Sequence, residues 1–247
     1  MNDKVKGAVF SMLTNILNQL DRDWGRVLDL YSGTGSIGIE SLSRGAVWAD
    51  FVEINAGVCR IISDNLEHTK FTDRARVNHR AVNAFLNSPP PPPGADHNKR
   101  ASDGLHRRKG VQQRAKEEQS SEVLPLPEPI VTPEVDNTTI HNELQYDIIF
   151  LDPPYADPKI NDTLAHIARS GLIKPGGLVV IGHSPRVSLL PSYGEGEDGI
   201  RLNLLRHRRH GDSSFSIFLA GDPAQYGFGS QPEDAAADPD EIEELAT

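Results

Sequence analysis

The sequence predicts an α/β domain built on a mostly parallel sheet with helices on both faces. Three observations support this fold class. Short apolar stretches typical of buried strands alternate with stretches that have helical periodicity. A glycine-rich turn joins the first strand to the helix after it, and no apolar run is long enough to cross a bilayer. The 247 residues are sufficient for one such domain with additional sequence.

The predicted elements alternate along most of the chain. A helix comes first, because apolar residues from Val5 to Leu20 recur on one face and Asn2 or Asp3 can cap it. A terminal hairpin is expected near the other end, since two strand patterns flank Gly211-Asp212. The predicted strands are 26–31, 49–54, 76–79, 146–151, 178–182, 202–207 and 214–219, and the later helices are the segment that ends near Ser43, 57–66 and 161–170.

Composition divides the chain into a domain, an insertion and a tail. We predict a domain over 1–221, interrupted by a disordered insertion at 88–145 that opens with five prolines. Residues 222–247 carry eight acids and no Lys or Arg, which predicts an acidic flexible tail. Insertion and tail together account for the net charge of −10, so the remaining domain is close to neutral and nucleic acid is not excluded as a partner.

The glycine turn indicates a nucleotide-containing ligand. Gly33, Gly35 and Gly38 follow a buried strand and satisfy G-x-G-x-x-G, which lets the backbone approach a ligand closely. Glu53 ends the second strand, where a carboxylate can bind ribose hydroxyls. These residues alone fit a nicotinamide-dependent enzyme as well as a methyltransferase.

Two details favour the methyltransferase. Asp29 stands inside an apolar strand, where a carboxylate is costly unless it is hydrogen-bonded, and a methyltransferase uses such an acid to anchor the turn and the methionine end of its cofactor. The first glycine also comes only after Ser32, four residues past Asp29, whereas a dehydrogenase strand runs straight into its first glycine.

The most specific motif is Asp152-Pro153-Pro154-Tyr155, directly after a predicted strand. Prolines lack N–H donors and end the strand, but their carbonyls remain available as acceptors. Asp152 and a proline carbonyl can accept the two hydrogens of an exocyclic amine and orient its nitrogen. Tyr155 offers a face on which a base can stack. The motif therefore predicts a site that presents an amine for methylation.

Taken together, these residues resemble amino-methyltransferases and, more narrowly, the RsmD family, which methylates guanine N2 in 16S ribosomal RNA of the small subunit. The resemblance spans Asp3–Leu86 and Tyr146–Ala220. Its motifs are Asp3-Lys4-Val5-Lys6, LDLYSGTGSIGIESLSRGA, FVEIN with Asn65-Leu66, Asp152-Pro153-Pro154-Tyr155, the Lys-Pro-Gly-Gly turn at 174–177 and RRHGDSSFSIF.

The resemblance implies a Rossmann-like fold with a seven-stranded sheet, an antiparallel last strand and S-adenosyl-L-methionine as cofactor. It implies direct methyl transfer to a guanine turned out of its stack, with no metal. The implied catalytic residues are Asp152, Pro153, Pro154 and Tyr155. The implied cofactor-binding residues are Asp29, Tyr31, Ser32, Gly33, Gly35, Gly38, Glu53, Ile54 and Val82.

Three features depart from the family pattern, and one of them is the insertion at 88–145 between the third and fourth strands. Family members carry a basic β-hairpin before the first helix, and this sequence starts at the helix, which predicts weak binding of free RNA. An Asp-Ala pair usually follows the third strand, where Ala81 and Val82 stand here. We therefore expect backbone groups or a neighbour such as Asn83 to hold the adenine.

The expected partner is ribosomal RNA within an assembled or partly assembled small subunit in the cytoplasm, with no membrane. Arg206, Arg208 and Arg209 fit phosphate contacts, although a solvated hairpin end explains the same stretch equally well. Three other functions remain open. They are an amino-methyltransferase of DNA adenine or protein glutamine, an NAD-dependent oxidoreductase, and a non-catalytic RNA- or cofactor-binding protein.

Overall fold

The computed structural model describes residues 3–93, 144–154, 157–194, 200–229 and 233–234. Most of the predicted insertion (94–143) and the motif residue Tyr155 lie outside these ranges. The helices are α1 (Asp3–Gln19), α2 (Ser36–Ser43), α3 (Ala56–Thr69), α4 (Val82–Asn87) and α5 (Ile160–Arg169). The strands are β1 (Arg26–Leu30), β2 (Trp48–Glu53), β3 (Ala75–His79), β4 (Tyr146–Leu151), β5 (Ile173–His183), β6 (Ser192–Tyr193), β7 (Leu202–His210), β8 (Ser213–Ala220) and β9 (Glu233–Asp234).

These strands form one sheet in the order β3-β2-β1-β4-β5-β8-β7-β6, with β9 beside β7. Strands β1 to β5 pair in parallel, and β8 runs antiparallel to β5. The predicted α/β fold class is confirmed. Seven of the described strands have five residues or more, as predicted, and the two-residue strands β6 and β9 are additions at the outer edge of β7.

Helices cover both faces of the sheet because the inner strands are apolar on both sides. On the α1 face, α1, α2 and α3 pack over strand residues such as Val27, Phe51 and Phe150. On the α5 face, α4 and α5 pack over Leu28, Leu30 and other residues of alternate position. The alternation places Asp29 on the α1 face, beneath the start of α2.

A buried carboxylate ties β2 to both ends of the insertion. Asp50 accepts hydrogen bonds from Arg76 Nε (2.7 Å), the Tyr146 hydroxyl (2.9 Å) and Trp48 Nε1 (2.9 Å). Arg76 also donates from Nη1 to the Pro91 carbonyl (2.8 Å), where the chain leaves the domain. Tyr146 begins the strand on which the chain returns. Asp50 therefore connects the exit and the re-entry of the insertion.

The domain extends beyond the boundary predicted at 222. Pro223–Tyr226 form a 3-10 turn, and Phe228 is buried in the core of the α1 face. Composition misplaced this boundary because one buried aromatic residue attaches an otherwise polar segment to the core.

The hairpin strands are also longer than predicted, since Arg208, Arg209 and His210 continue to pair with β8 up to the turn at Gly211.

The Asp50 cluster leads to a stability prediction. Burial and the Asp50 charge raise the pKa of Tyr146, so its hydroxyl stays protonated and donates. Tyr146→Phe removes a hydrogen bond to a charged group and should lower the free energy of unfolding by about 1.5–3 kcal/mol. Urea denaturation measures this loss. Tyr226→Phe is the control and should change stability by less than about 0.5 kcal/mol. Equal effects of the two substitutions would contradict the role of Asp50.

Candidate active site

The parallel register brings the predicted site residues to one edge of the sheet. Leu30 lies level with Val52 in β2 and with Leu151 in β4, and Leu151 lies level with Ile181 in β5. Ligands of such sheets bind outside these carboxyl ends. The residues that follow form a row across the edge: Glu53, Tyr31, Asp152 and Gly182.

The turn after β1 is fixed by hydrogen bonds to β2. Ser32 donates from its backbone N–H to the Val52 carbonyl (3.1 Å), and its hydroxyl accepts from the Val52 N–H (2.9 Å). The Ser32 hydroxyl also lies 2.6 Å from the Asp29 carbonyl. Gly33 and Gly35 follow with φ angles of +52° and +79°, a left-handed conformation that favours glycine. The turn is therefore held rigidly against the sheet.

Gly38 allows α2 to lie directly on the sheet. A Cβ atom at this position would lie 2.3 Å from a ring carbon of Phe51 and 3.2 Å from Asp29 Oδ2. Around Gly33, by contrast, a Cβ would meet no atom within 4 Å. The turn is thus packed on the side of Gly38 and open on the side of Gly33, where a ligand can approach the backbone.

Asp29 is fully buried beneath the turn. Its Oδ2 accepts a hydrogen bond from the Gly38 N–H at 3.0 Å, and its Oδ1 finds no partner among the described residues. Burial raises the pKa of Asp29 to about 8, the Gly38 N–H opposes this rise, and the charges of Asp152 and Glu53 add to it. The site therefore concentrates negative charge, and a cationic ligand group nearby would favour ionised Asp29.

Glu53 is oriented by two backbone groups. Its Oε2 accepts from the Gly33 N–H (3.1 Å) and its Oε1 from the Asn55 N–H (2.8 Å). Each carboxylate oxygen can accept a further hydrogen bond. Glu53 thus joins the glycine turn to the end of β2 and keeps capacity to accept from ligand hydroxyls.

A cavity of about 180 Å³ opens beside Glu53. Four residues predicted to bind the cofactor line it: Tyr31, Glu53, Ile54 and Val82. Ile54 lines the cavity with an apolar side chain that is 68% exposed. Val82 begins α4, a helix that the sequence did not predict. The remaining lining residues are Val52, Arg80, Ala81 and Asn83.

Arg80 is the cavity residue that the sequence analysis missed. Its N–H donates to the Glu53 carbonyl (3.0 Å), and its guanidinium donates to the Ser88 carbonyl (2.7 Å). Aligning the ends of the parallel strands β2 and β3 would have found it, because His79 is level with Glu53 and Arg80 comes next. A second missed contact is the hydrogen bond from the Asn65 side chain to the Thr34 carbonyl (2.9 Å), which links α3 to the glycine turn.

Asp152 continues the row directly beyond β4. Its N–H lies 3.5 Å from the Leu30 carbonyl, the long limit of a hydrogen bond, so the ladder ends here. Pro153 is buried and Pro154 is exposed, and the Pro154 carbonyl accepts from the Asp157 N–H (2.9 Å). Tyr155, predicted as the stacking residue, lies outside the described residues, so its role stays a prediction.

The three arginines predicted to touch RNA lie near this edge but do not share one face. Arg206 and Arg208 pair with Ile217 and Phe215 of the α1 face, whereas Arg209 pairs with Ser214. Arg206 lies over the Phe228 ring (5.6 Å), and one guanidinium nitrogen of Arg208 is buried with no partner among the described residues. Arg209 is exposed. The stretch therefore does not form one continuous basic patch.

Two further features bear on function. In the parts of the chain that the structure describes, no group of three or more His, Cys, Asp or Glu residues could hold a metal ion. Among the described helices, none combines the length and the apolar character that crossing a membrane requires.

Comparison with known proteins gives a family and named relatives. The family described as "Conserved hypothetical protein 95" matches residues 1–96 and 131–219. "Putative rRNA methyltransferase YlbH" of Bacillus subtilis (strain 168) is 26% identical over 216 residues, which cover 87% of this chain and 84% of the relative. "Ribosomal RNA small subunit methyltransferase D" of Haemophilus influenzae is 32% identical over 180 residues, covering 72% of this chain and 64% of the relative.

Solved structures agree with the fold. A conserved hypothetical protein of Streptococcus pyogenes superimposes with a TM-score of 0.57 at 20% sequence identity, over 94% of this chain and 99% of the other. At this level of identity the likeness concerns the fold, and it supports the doubly covered sheet.

The pKa of Asp29 predicts an inverse dependence of stability on pH. The folded-state pKa of about 8 lies above the ordinary value of 3.8, so between these values the folded protein binds more protons than the unfolded chain. The contribution of Asp29 to stability is therefore present below pH 4 and lost as the pH rises toward 8, with a slope of up to about 1.4 kcal/mol per pH unit.

Asp29→Asn keeps an acceptor for the Gly38 N–H and does not titrate. Its free energy of unfolding, measured by denaturation at intervals from pH 4 to pH 8, should fall less with pH than that of the wild type. The exposed acid Asp162 serves as control, since Asp162→Asn should preserve the wild-type profile. Parallel profiles of Asp29→Asn and wild type would show that Asp29 ionises normally.

Proposed function

The chain belongs to the Conserved hypothetical protein 95 family, and from that membership we propose that it is an S-adenosylmethionine-dependent methyltransferase of ribosomal RNA. The more specific proposal is transfer of a methyl group to the exocyclic N2 amine of a guanine in 16S ribosomal RNA. The relatives named as rRNA methyltransferases support the RNA substrate, and the residues that resemble the RsmD family support the guanine amine.

One observation carries the proposal. The sheet register sets the cavity of about 180 Å³ and the Asp-Pro-Pro motif side by side, because Glu53, Tyr31 and Asp152 lie at the carboxyl ends of three adjacent strands. A methyltransferase needs this arrangement, since donor and acceptor must meet at one point. An enzyme of nicotinamide chemistry has no need of an amine-orienting motif beside the glycine turn.

The residues at the edge fit the proposed cofactor. Glu53 is oriented to accept from ribose hydroxyls, and Ile54 and Val82 give the cavity apolar surface for an adenine. The backbone at Val82 and Asn83 begins a helix, where N–H groups lack helical partners. The open side of Gly33 and the negative charge around Asp29 fit the cationic methionine end. When bound, this cofactor supplies an electrophilic methyl group on a positively charged sulfur.

The protein's part in the reaction is to orient the amine and keep its nitrogen available. Asp152 accepts one hydrogen of the exocyclic amine, and the Pro153 carbonyl accepts the other. These two acceptors would direct the nitrogen toward the methyl group that the bound cofactor would supply, and the hydrogen bond to Asp152 would give the departing amine proton an acceptor. Positioning accounts for most of the rate enhancement in such a displacement.

The target guanine enters the site turned out of its helix, since a stacked and paired base cannot place its amine at Asp152. Recognition beyond the base falls to the hairpin between β7 and β8, whose turn lies at the same edge as Asp152 because Gly182 pairs with Phe215. Arg209, which is exposed, would contact phosphate there, and Arg206 and Arg208 would do so from the other face. We place this reaction on assembled or partly assembled small subunits in the cytoplasm.

Replacing Glu53 tests the cofactor site. Glu53→Gln keeps one acceptor oxygen but loses the charge, and Glu53→Ala loses both, so affinity for S-adenosylmethionine should fall in that order. Loss of a charged hydrogen bond costs about 1.5–3 kcal/mol of binding free energy, so calorimetry should show a dissociation constant raised roughly ten- to hundredfold. Asp64→Ala, a surface acid on α3, is the control and should bind as the wild type does. Undiminished affinity in both Glu53 variants would exclude this residue from the site.

Replacing Asp152 tests the chemistry. Asp152→Ala should lower the rate of tritium transfer from labelled cofactor to unmodified small subunits by at least about tenfold, since the amine loses its acceptor, while cofactor affinity changes little. Asp162→Ala should transfer at the wild-type rate. Digestion of the wild-type product to nucleosides should yield N2-methylguanosine. Label found only on DNA or protein, or full activity of Asp152→Ala, would overturn the proposal.

A further inference from the structure

A small hollow lies on the far side of Asp152 from the cofactor cavity. It has a volume of about 10 Å³, which is close to the room needed for one water molecule. The cofactor cavity begins at Tyr31, on the β1 side of Asp152, whereas the hollow lies on the β5 and β8 side. Its lining residues are Val5, Asp152, Pro153, Gly182, His183, Ser213 and Ser214.

Ser214 is the unusual member of this group. Its side chain is 2% exposed, and its hydroxyl has no hydrogen-bond partner among the described residues. A hydroxyl that leaves water when the protein folds normally gains a protein hydrogen-bond partner, because a buried hydroxyl without a partner disfavours the folded state. Because this hydroxyl is buried beside a candidate catalytic acid, it is available to bond a water or a ligand group.

Ser216, two residues further along β8, shows the ordinary arrangement. Its hydroxyl lies 3.0 Å from His183 Nε2 and 3.0 Å from His207 Nδ1. His183 Nδ1 also lies 3.0 Å from the Ser184 carbonyl, which can only accept, so Nδ1 donates and Nε2 accepts from Ser216. Ser216 therefore has both of its hydrogen-bonding roles filled by protein, while Ser214, on the same face of the strand, has neither.

We propose that Ser214 is a positioning residue of the acceptor subsite, where it holds one water that hydrogen-bonds the target base next to the amine bound by Asp152. This inference rests on the proposed function. The base edge approaches from the rim, and the water bridges it to the Ser214 hydroxyl across the hollow. Such a bridge is nearly as favourable as a direct hydrogen bond. A hydroxyl both donates and accepts, so it matches either a ring N–H or a carbonyl oxygen.

Stability and activity should therefore separate at this position. Ser214→Ala removes a hydroxyl that has no partner among the described residues, so its midpoint of thermal unfolding should equal or exceed that of the wild type. Ser216→Ala removes a hydroxyl bound to two imidazoles, so its midpoint should fall. The two variants delete the same atom from the same strand and face, and they form a matched pair.

The decisive measurement is methyl transfer to small subunits, with KM for the subunit and kcat determined at saturating S-adenosylmethionine. Ser214→Ala should lower kcat/KM for the subunit at least about fivefold, with unchanged affinity for the cofactor. Ser214→Thr should lower it as well, because the added methyl group fills the hollow. Wild-type kcat/KM in Ser214→Ala, or a loss of thermal stability like that of Ser216→Ala, would overturn the inference.

The two proposals fail in different ways. A wild-type protein that methylates no RNA contradicts the proposed function and this inference together. A wild-type protein that methylates the subunit while Ser214→Ala does so equally well contradicts the inference alone.

Discussion

The hydrogen bonds between Ser32 and Val52 fix the geometry on which the whole carboxyl edge depends. Strand β1 is central, with β2 on one side and β4 on the other, and its chain must turn sharply at Tyr31 to enter α2. Ser32 is hydrogen-bonded to Val52 through both its backbone and its hydroxyl, and these bonds hold the turn against the sheet. Glu53 follows Val52 directly and accepts from the Gly33 N–H, so the same hydrogen bonds align the acid with the turn. Strand pairing then sets the positions of the cavity and of the motif that begins at Asp152.

The insertion between β3 and β4 is compatible with this geometry because its two ends are tied to one buried acid. Arg76 and Tyr146 both bind Asp50, and Arg76 also binds the chain at Pro91. The entropy of closing a loop grows slowly with its length, so an added segment costs the fold little once its ends are fixed. Asp50 lies on β2, three residues before Glu53, and the anchoring therefore stabilises the strand that carries the cofactor acid.

The sequence predicted the fold well where local pattern and tertiary structure agree. Alternating apolar stretches predicted the parallel strands, the glycine turn predicted the link from β1 to α2, and the RsmD resemblance is confirmed by the family.

Prediction failed where the burial of a residue depends on partners distant in sequence. Phe228 looked like part of a polar tail, because the core that receives it is formed by residues from other elements. The arginines at 206, 208 and 209 looked like one patch, but an irregularity between Leu204 and Arg206 sets which face each one occupies. Ser214 resembled its neighbours, since the absence of a partner is visible only in three dimensions.

The outer edge of the sheet carries its own protection against aggregation. Strand β7 is the last long strand, and among the described residues its outer side pairs with β6 at residues 202–203 and with β9 at 206–207. An open strand edge can template pairing with another molecule, and charged residues along it oppose that. Arg208, Arg209 and His210 end β7, and no described residue pairs with their outer side. The same cationic stretch that suggests contact with phosphate would therefore also oppose pairing with a second copy of the strand.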